Sequence, residues 1–296
     1  MLKNRTVSGK ALTFIFATAF FLTTVVTSFP STTLAKDNLK GESNENDDFC
    51  SEETLMYDDN GLKMSIEDFT ETDNVCEITF HMKNNSDKNL SVDSRAVAIN
   101  RVMLENEYDD NVHADVAAWK KATGKLKVNK TILEYLGFTK TCNLDLLIRV
   151  TEGNDYYDEV DVAQCSIDLT PDENDEVIDF RCPTLYEKND IVVHGLADDE
   201  KTTAFIGIEN RTDSFISCDV QNITINDLTM PRDSEISDLT CLCGCTLITA
   251  IEPTEEFLTE NDIYDVDTID FSMKIRPEED YLKEYGTDLI HYEMSS

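Results

Sequence analysis

The sequence predicts an all-β protein made of two tandem β-sandwich domains behind an N-terminal export signal. Two observations lead to this prediction. Segments such as 76–82 alternate apolar and polar residues, which is the period-2 pattern of half-buried strands. Segment 83–104 recurs 126 residues later as 209–230, with six identical residues in 22 aligned positions. We therefore expect one strand-rich unit, of about 110 residues, to occur twice.

The first 35 residues predict a secretory signal peptide. Three basic residues precede an apolar run at 11–29, and Pro30 ends that run before small residues that finish at Ala35. We expect cleavage after Ala35 and a secreted or extracellular location at the cell surface. The alternative is an uncleaved anchor, because a run of about 19 residues can just span a bilayer. A membrane would then be contacted through this segment alone.

Composition then divides the rest of the chain. Polar and acidic stretches follow the signal and separate the two repeats, as expected for a tether and a linker. The expected order is signal peptide 1–35, disordered acidic tether 36–52, sandwich domain 53–169, acidic linker 170–182 and sandwich domain 183–296.

The strong negative charge excludes two classes of partner. The chain has 60 acidic and 25 basic residues, which gives a formal charge of −35. Sequence-independent nucleic-acid binding needs clustered basic residues, and so does docking on anionic lipid. We therefore expect neither a nucleic-acid partner nor an anionic membrane partner.

Within each repeat, the pattern predicts strands joined by tight turns and one short helix. The clearest strands are expected at 62–66, 76–82, 144–146, 160–162, 204–208 and 269–275. Asn100-Arg101 and Asn226-Asp227 are expected to form two-residue hairpin turns, since Asn tolerates the left-handed conformation. The helices are expected at 130–136 and 254–259, the second of them after the start signal at Pro253 and Thr254.

These motifs resemble those of a known group of domains. The sequences Asn-Asn-Ser-Asp-Lys-Asn at 84–89, Asp-Val-Ala-Ala-Trp-Lys-Lys-Ala at 115–122 and Leu-Asp-Leu-Leu-Ile at 144–148 carry the resemblance. It is to uncharacterised immunoglobulin-like β-sandwich domains of secreted and surface proteins of Gram-positive bacteria. The resemblance covers 55–168 well and 184–293 more loosely, and it implies an immunoglobulin-like fold without assigned catalytic residues. Arg101, Asp227 and Trp119 stand where those domains usually carry Gly.

Nine cysteines offer the most distinctive chemistry in the sequence. Cys76 and Cys142 are expected on inward strand faces, where they either form a disulfide or stay buried thiols. Cys241, Cys243 and Cys245 alternate, so on a strand their thiols would line one face. Such a row could hold a soft metal such as Zn or Cu(I), and the alternatives are a disulfide elsewhere or plain burial.

No catalytic motif is present. The sequence has no Gly-x-Ser-x-Gly elbow, no His-Glu-x-x-His and no phosphate-binding Gly loop. We therefore expect a non-enzymatic protein without a cofactor, apart from weak calcium binding at the acidic linker or the soft metal considered at Cys241, Cys243 and Cys245.

The function that fits best is a non-catalytic binding, adhesion or spacer protein. Its partner would be an unknown protein or glycan at a cell surface, met through loops near 107–115 and 232–240. One alternative is a cysteine-dependent metal or redox binder that uses Cys241, Cys243 and Cys245. A third reading is a hydrolase whose acid pair cannot be distinguished among so many carboxylates.

Overall fold

The computed structural model describes residues 55–71, 75–104, 112–129, 143–153, 158–169, 183–196, 203–277 and 284–294. The predicted signal peptide, tether, linker and first helix lie outside these ranges. Among the described residues, no helix is both long enough and apolar enough to cross a membrane.

The first half of the described chain folds into nine strands. These are β1 (Leu55–Asp59), β2 (Leu62–Glu71), β3 (Val75–Asn84), β4 (Leu90–Ile99), β5 (Val102–Leu104), β6 (His113–Val116), β7 (Lys121–Asn129), β8 (Asn143–Glu152) and β9 (Glu159–Asp168). Sheet A has the order β1–β2–β3–β7. Sheet B contains β4, β5, β6, β8 and β9, with β4 and β8 at its centre. A shared apolar core lies between the two sheets.

The second half repeats this strand order. Its strands are β10 (Thr184–Lys188), β11 (Ile191–Leu196), β12 (Ala204–Asn210), β13 (Ile216–Ile225), β14 (Leu228–Thr229), β15 (Ile236–Cys241), β16 (Thr246–Ile251), β17 (Thr268–Pro277), β18 (Tyr285–Gly286) and β19 (Ile290–Glu293). Sheet C has the order β10–β11–β12–β16, and sheet D contains β13, β14, β15, β17, β18 and β19. A second core lies between these sheets. The all-β sandwich fold expected from the sequence is therefore confirmed.

One short helix, α1 (Glu255–Glu260), follows β16. Thr254 caps it, because its side chain accepts a hydrogen bond from the backbone N–H of Phe257 at 3.2 Å. The sequence predicted this helix one residue too early, since Thr254 is the cap and not the first helical residue.

The alternating strands bury the residues that the sequence pattern selected. On β3, the inward side chains Cys76, Ile78, Phe80 and Met82 are fully buried. Strand β8 departs from the expected half-buried pattern, because nine of its ten residues are buried. Both faces of β8 are covered, since Leu144 and Leu146 join the first core while Leu147 joins the second.

That double burial comes from a strand pair between the two halves. β5 pairs in parallel with β16, with Val102 opposite Thr246 and Met103 opposite Leu247. The N–H of Thr246 also donates to the carbonyl oxygen of Arg101 at 2.8 Å. Sheets B and C are consequently one nine-stranded sheet. We call this contact the junction.

Four two-residue hairpin turns have the same backbone conformation. Both central residues have positive φ angles in each turn, as a type I′ turn requires. The turns are Asn60-Gly61, Asn100-Arg101, Asn189-Asp190 and Asn226-Asp227. The two hairpins predicted from Asn100 and Asn226 are thus confirmed. Asn at the first position supplies the left-handed conformation even though Gly follows in only one of the four.

In each sandwich a buried asparagine hydrogen-bonds the turn that follows it to the end of another strand. Asn84 donates its amide N–H groups to the carbonyls of Lys88 and Val116, at 2.7 and 2.9 Å. Its side-chain oxygen accepts from the N–H and hydroxyl groups of Ser86. These bonds fasten the turn after β3 to the end of β6.

Asn210 makes the matching set of bonds in the second half. It donates to the carbonyls of Ser214 and Cys241, at 2.9 and 3.0 Å, and accepts from the N–H and hydroxyl groups of Thr212. We call Asn84 and Asn210 the clamp asparagines. Every hydrogen-bonding position of these two buried amides is used, so their removal takes away the donor that each supplies to a buried backbone carbonyl, that of Val116 or of Cys241.

We expect Asn84→Ala and Asn210→Ala each to lower the free energy of unfolding by about 2 to 4 kcal/mol. The cost comes from four lost hydrogen bonds, one of which is buried in each sandwich. Urea unfolding followed by tryptophan fluorescence and circular dichroism would measure it. Asn85→Ala is the matched control, since this half-buried neighbour is not a clamp residue. An equal loss in the control would refute the assignment.

Candidate interaction surface and thiol cluster

The three alternating cysteines lie on a turn and not along one strand face. β15 ends at Cys241, residues 242–245 form the connection, and β16 begins at Thr246. Gly244 has a φ angle of +70°, which reverses the chain between Cys243 and Cys245. The expected row of three thiols was therefore wrong in its geometry, because alternation places residues on one face only in extended backbone.

Each of these thiols has a different environment. Cys241 is fully buried and donates to the carbonyl of Ile208 at 3.3 Å. Cys243 is partly exposed and donates to the carbonyl of Thr212 at 2.9 Å. Burial raises the pKa of Cys241 to about 12, and it also raises the pKa of Cys243. Both groups are consequently thiols and not thiolates at neutral pH.

The backbone of Cys243 also binds across the junction. Gln164 of β9 donates to the carbonyl of Cys243 at 3.0 Å and accepts from its N–H at 2.9 Å. Leu242 packs nearby, with its N–H 3.3 Å from the sulfur of Met103. The thiol-bearing turn is therefore a docking element between the two sandwiches.

Cys245 meets a buried carboxyl group of the other half. Its thiol hydrogen-bonds Asp145, which also accepts from the hydroxyl of Ser166. Burial is the largest cause that raises the pKa of Asp145, and the hydrogen bond from Ser166 and the charge of Arg101 oppose it. Burial and then the charge of Asp145 raise the pKa of Cys245. The junction thus contains a desolvated acid beside a thiol.

In the described part of the chain, no three His, Cys, Asp or Glu side chains are grouped closely enough to hold a metal ion. Cys76 is buried on the inner face of β3 as expected, while Cys142 lies outside the described residues. The Cys76–Cys142 disulfide therefore stays a prediction.

Three histidines, His113, His194 and His291, contact carboxylates on neighbouring strands. His113 and His291 lie directly opposite Asp93 and Asp270, at 2.6 and 2.7 Å. The hydrogen bond that the His291 ring donates to Asp270 raises the pKa of His291. Cross-strand pairs of this kind stabilise a sheet surface, so they need no catalytic explanation.

Trp119 is the most unusual exposed residue. It is the single tryptophan of the chain, its side chain is 67% exposed, and its φ angle is +60°. A bulky residue in the left-handed region costs roughly 1–2 kcal/mol. The corresponding turn of the second half has Gly244 at this place, also with positive φ. Trp119 therefore occupies a position that suits glycine and does not bury its ring in return.

Lysines follow this tryptophan in the sequence and lie in register with one another on sheet A. Lys120 and Lys121 follow it directly, and β7 places Lys121 opposite Lys83 of β3. Lys83 is in turn opposite Lys63 of β2, whose ammonium group lies 2.6 Å from Asp58. Three lysines thus lie in register on three neighbouring strands of sheet A. We call Trp119, Lys120, Lys121 and Lys83 the Trp119 surface.

The loops favoured from the sequence are less distinctive. Residues 107–111 lie outside the described chain, and segment 232–240 contains a short 3-10 turn and most of β15. Neither 112–115 nor 232–240 has an exposed aromatic residue. In the sequence, Trp119 is distinctive because the resemblance places it where glycine is usual.

Comparisons with known proteins return only distant structural likeness. No protein-family model matches the chain, and no curated protein matches it. Solved structures with similarity include a red sea bream transglutaminase, with 9% identity and a TM-score of 0.23 over 79% of this chain and 31% of that chain. A conserved domain protein from Bacillus anthracis has 12% identity and a TM-score of 0.26 over 88% and 96%.

A third similar structure is a calcium-binding mutant of Bacteroides uniformis β-glucuronidase 2. It has 12% identity and a TM-score of 0.20 over 86% of this chain and 31% of that chain. This chain thus spans about a third of the transglutaminase and of the glucuronidase.

We expect Cys243 to react first among the described cysteines when the native protein meets iodoacetamide at about pH 8. Cys165, Cys241 and Cys245 should be protected, since they are buried and burial raises their pKa. Mass spectrometry of peptides after timed quenching would give the order. Equal labelling of Cys241 and Cys243 in the folded protein would contradict the described geometry.

We expect Asp145→Asn to stabilise the protein more at pH 7 than at about pH 4. The folded pKa of Asp145 is raised above its ordinary value of 3.8, so the folded state loses stability as pH rises through that raised pKa. The Asn variant keeps an acceptor for Ser166 and has no charge to bury. Urea unfolding at both pH values would measure the difference. Asp262→Asn, at an exposed turn, is the matched control, and an equal difference in this variant would contradict the assignment to Asp145.

Proposed function

We propose that this protein is an exported, non-catalytic binding module that recognises its partner through the Trp119 surface. The observation that carries the proposal is an exposed tryptophan in a left-handed conformation, next to lysines on a chain of net charge −35. Tryptophan is among the residues most often responsible for binding energy at interfaces. Strained backbone that brings no packing in return is typical of functional sites.

The simplest alternative for the lysines is protection of a sheet edge. Lys121, Lys125 and Lys127 are exposed at odd-numbered positions of β7, and lysines on an edge strand hinder unwanted strand pairing. That role explains the charges on β7, yet it gives no reason for Trp119, because an exposed aromatic ring favours association. A recognition surface explains both features together.

The turn that bears Trp119 is hydrogen-bonded to Asn84 and to the residues that follow β3. The N–H of Trp119 donates to the carbonyl of Ser86 at 3.2 Å, and the N–H of Asn84 donates to the carbonyl of Lys120 at 2.9 Å. Ser86 is itself held by the side chain of Asn84. The ring is therefore presented from a turn that a clamp asparagine fixes, which lowers the entropy lost on binding.

The matching strand order of the two halves supports the idea that one sandwich unit was duplicated, as the sequence repeat predicts. In this proposal the halves then diverged in use. The turn that bears Trp119 in the first sandwich bears Gly244 and the junction contacts in the second. In this proposal the turn of the first sandwich binds the partner, and the corresponding turn of the second sandwich contacts the first sandwich at the junction.

We expect Trp119→Gly to reduce binding to the partner at least tenfold while it raises stability by up to about 1 kcal/mol. The assay uses fluorescently labelled chain from Lys36 onward and measures saturable binding to producer and host cells. Tyr264→Ala is the matched control, because Tyr264 is an exposed aromatic residue elsewhere on the second sandwich.

Two results would count against the proposal. Undiminished cell binding by Trp119→Gly would remove the Trp119 surface as the recognition site. A stability loss above about 1 kcal/mol in the same variant would mean that Trp119 packs against the fold and has a structural role.

A further inference from the structure

Each of the two strands that form the junction has a counterpart in the other half of the chain. The junction joins the β5 side of sheet B to the β16 side of sheet C. β14 is the counterpart of β5, since both follow a type I′ turn after the fourth strand of their half. β7 is the counterpart of β16, since both pair with the third strand. Within the described residues, β7 pairs only with β3, and β14 pairs only with β13.

We propose that copies of this chain associate head to tail, with the β14 side of one copy docked on the Trp119 surface of the next. This inference names the partner for the Trp119 surface and so rests on the proposed function. The docking would repeat the junction geometry between two molecules. β14 would pair in parallel with β7, with Leu228 opposite Lys121 and Thr229 opposite Ala122.

The first support is charge complementarity at matched positions. Within the chain, Cys245 contacts Asp145. The residue that corresponds to Cys245 is Lys120. The carbonyl of Cys245 accepts from the backbone N–H of Asn210, and the carbonyl of Lys120 accepts from the backbone N–H of Asn84. The residue that corresponds to Asp145 is Asp270, because β8 and β17 occupy the same place in their halves. A thiol–acid contact inside the chain thus corresponds to a lysine–aspartate contact between chains.

A second charged pair follows from the turn before β5. At the junction, the backbone carbonyl of Arg101 accepts a hydrogen bond from the backbone N–H of Thr246. Their counterparts are Asp227, which precedes β14, and Lys121, which begins β7. The two positions again carry opposite charges. The register taken from the junction thus places both aspartates opposite lysines.

The exposed apolar residues have the same distribution. Gln164 binds the backbone of Cys243 at the junction. Strand register identifies the residue that matches Gln164 in the second half. Gln164 directly precedes Cys165, which is paired with Leu146. Leu289 directly precedes Ile290, which is paired with Phe271. Leu289 is consequently the counterpart of Gln164, and Ala118 is the counterpart of Cys243. Leu289 is 64% exposed, so docking would cover it with Ala118 and Trp119.

Three of the five large apolar side chains exposed in the described residues lie on these two surfaces. Trp119 is on one, and Leu228 and Leu289 are on the other. We call Asp227, Leu228, Asp270 and Leu289 the Asp227 surface. Exposed apolar residues ringed by charges are typical of association sites.

The Asp227 surface is less apolar than the corresponding surface at the junction, which weakens the proposed contact between copies. Ala98, Met103 and Leu147 contribute to the second core from sheet B, and Phe205 and Ile248 contribute to the first core from sheet C. The sheet D positions that match Ala98 and Leu147 are Thr224 and Ser272. Contact between copies would thus bury less apolar area than the junction, so we expect it to be reversible.

Net charge sets the salt dependence. A molecule of charge −35 repels its copies at low ionic strength, where the screening length is about 30 Å at 10 mM salt. At about 0.15 M this length falls to about 8 Å, which screens whole-molecule repulsion more than contacting pairs. At about 1 M the lysine–aspartate pairs are weakened too. Association should therefore be greatest at intermediate salt.

Sedimentation equilibrium of the chain from Lys36 onward tests the proposal, at about 10 μM to about 1 mM protein in about 0.15 M salt. Because the two surfaces are different, association is open-ended, and the average mass should rise past that of a dimer without a plateau. Monomers throughout this range, or a closed dimer, would overturn the proposal.

Variants of each surface make the test specific. Lys120→Glu with Lys121→Glu, and separately Asp227→Asn with Asp270→Asn, should each lower self-association at least tenfold. An equimolar mixture of the two double variants should form one-to-one pairs and stop there, because each retains one intact surface. The control, Arg95→Glu with Lys188→Glu, changes two exposed cations outside both surfaces and should leave association unchanged. Association that survives both double variants would overturn the proposal.

The outcome can be separated from that of the proposed function. A monomeric protein whose cell binding still depends on Trp119 would refute self-association and leave the recognition surface intact. Cell binding that is independent of Trp119 would refute the recognition surface itself.

Discussion

The parallel pairing of β5 with β16 is the contact on which the arrangement of the whole molecule depends. Two short strands exchange backbone hydrogen bonds, and as a result sheets B and C become one nine-stranded sheet. The pair alone is small, but it brings Leu147 and Met103 into the second core and Phe205 into the first. Burial on both faces of β8 follows from it. The two sandwiches are therefore held by shared cores in addition to the chain between them.

Much of each sandwich could be predicted from local patterns. Period-2 alternation identified β3 and β17, and Asn100 and Asn226 identified hairpin turns, because these features depend on neighbouring residues alone. The junction could not be found in this way. Segment 102–104 has only three residues, and its partner begins 144 residues further along the chain at Thr246. A parallel pair between distant short segments leaves no periodicity in either of them.

The candidate site shows the same division between local and distant information. The alternating cysteines suggested an extended strand, but Gly244 turns the chain and sends Cys241, Cys243 and Cys245 to different neighbours. Trp119 was visible as a departure from glycine, and the positive φ angle explains why glycine suits that place. That its ring is exposed, and that Lys83 lies beside Lys121, depends on strand register, which no short sequence window contains.

The clamp asparagines have a consequence for how this protein can be made. Asn84-Asn-Ser and Asn210-Arg-Thr both satisfy the acceptor sequence for N-linked glycosylation. In the folded protein both side-chain nitrogens are buried and donate two hydrogen bonds each. An oligosaccharide attached during translocation would remove those donors and place a bulky polar group inside the sandwich. A eukaryotic secretory host is therefore expected to yield misfolded chains, whereas a bacterial host, which leaves these amides unmodified, preserves both clamps.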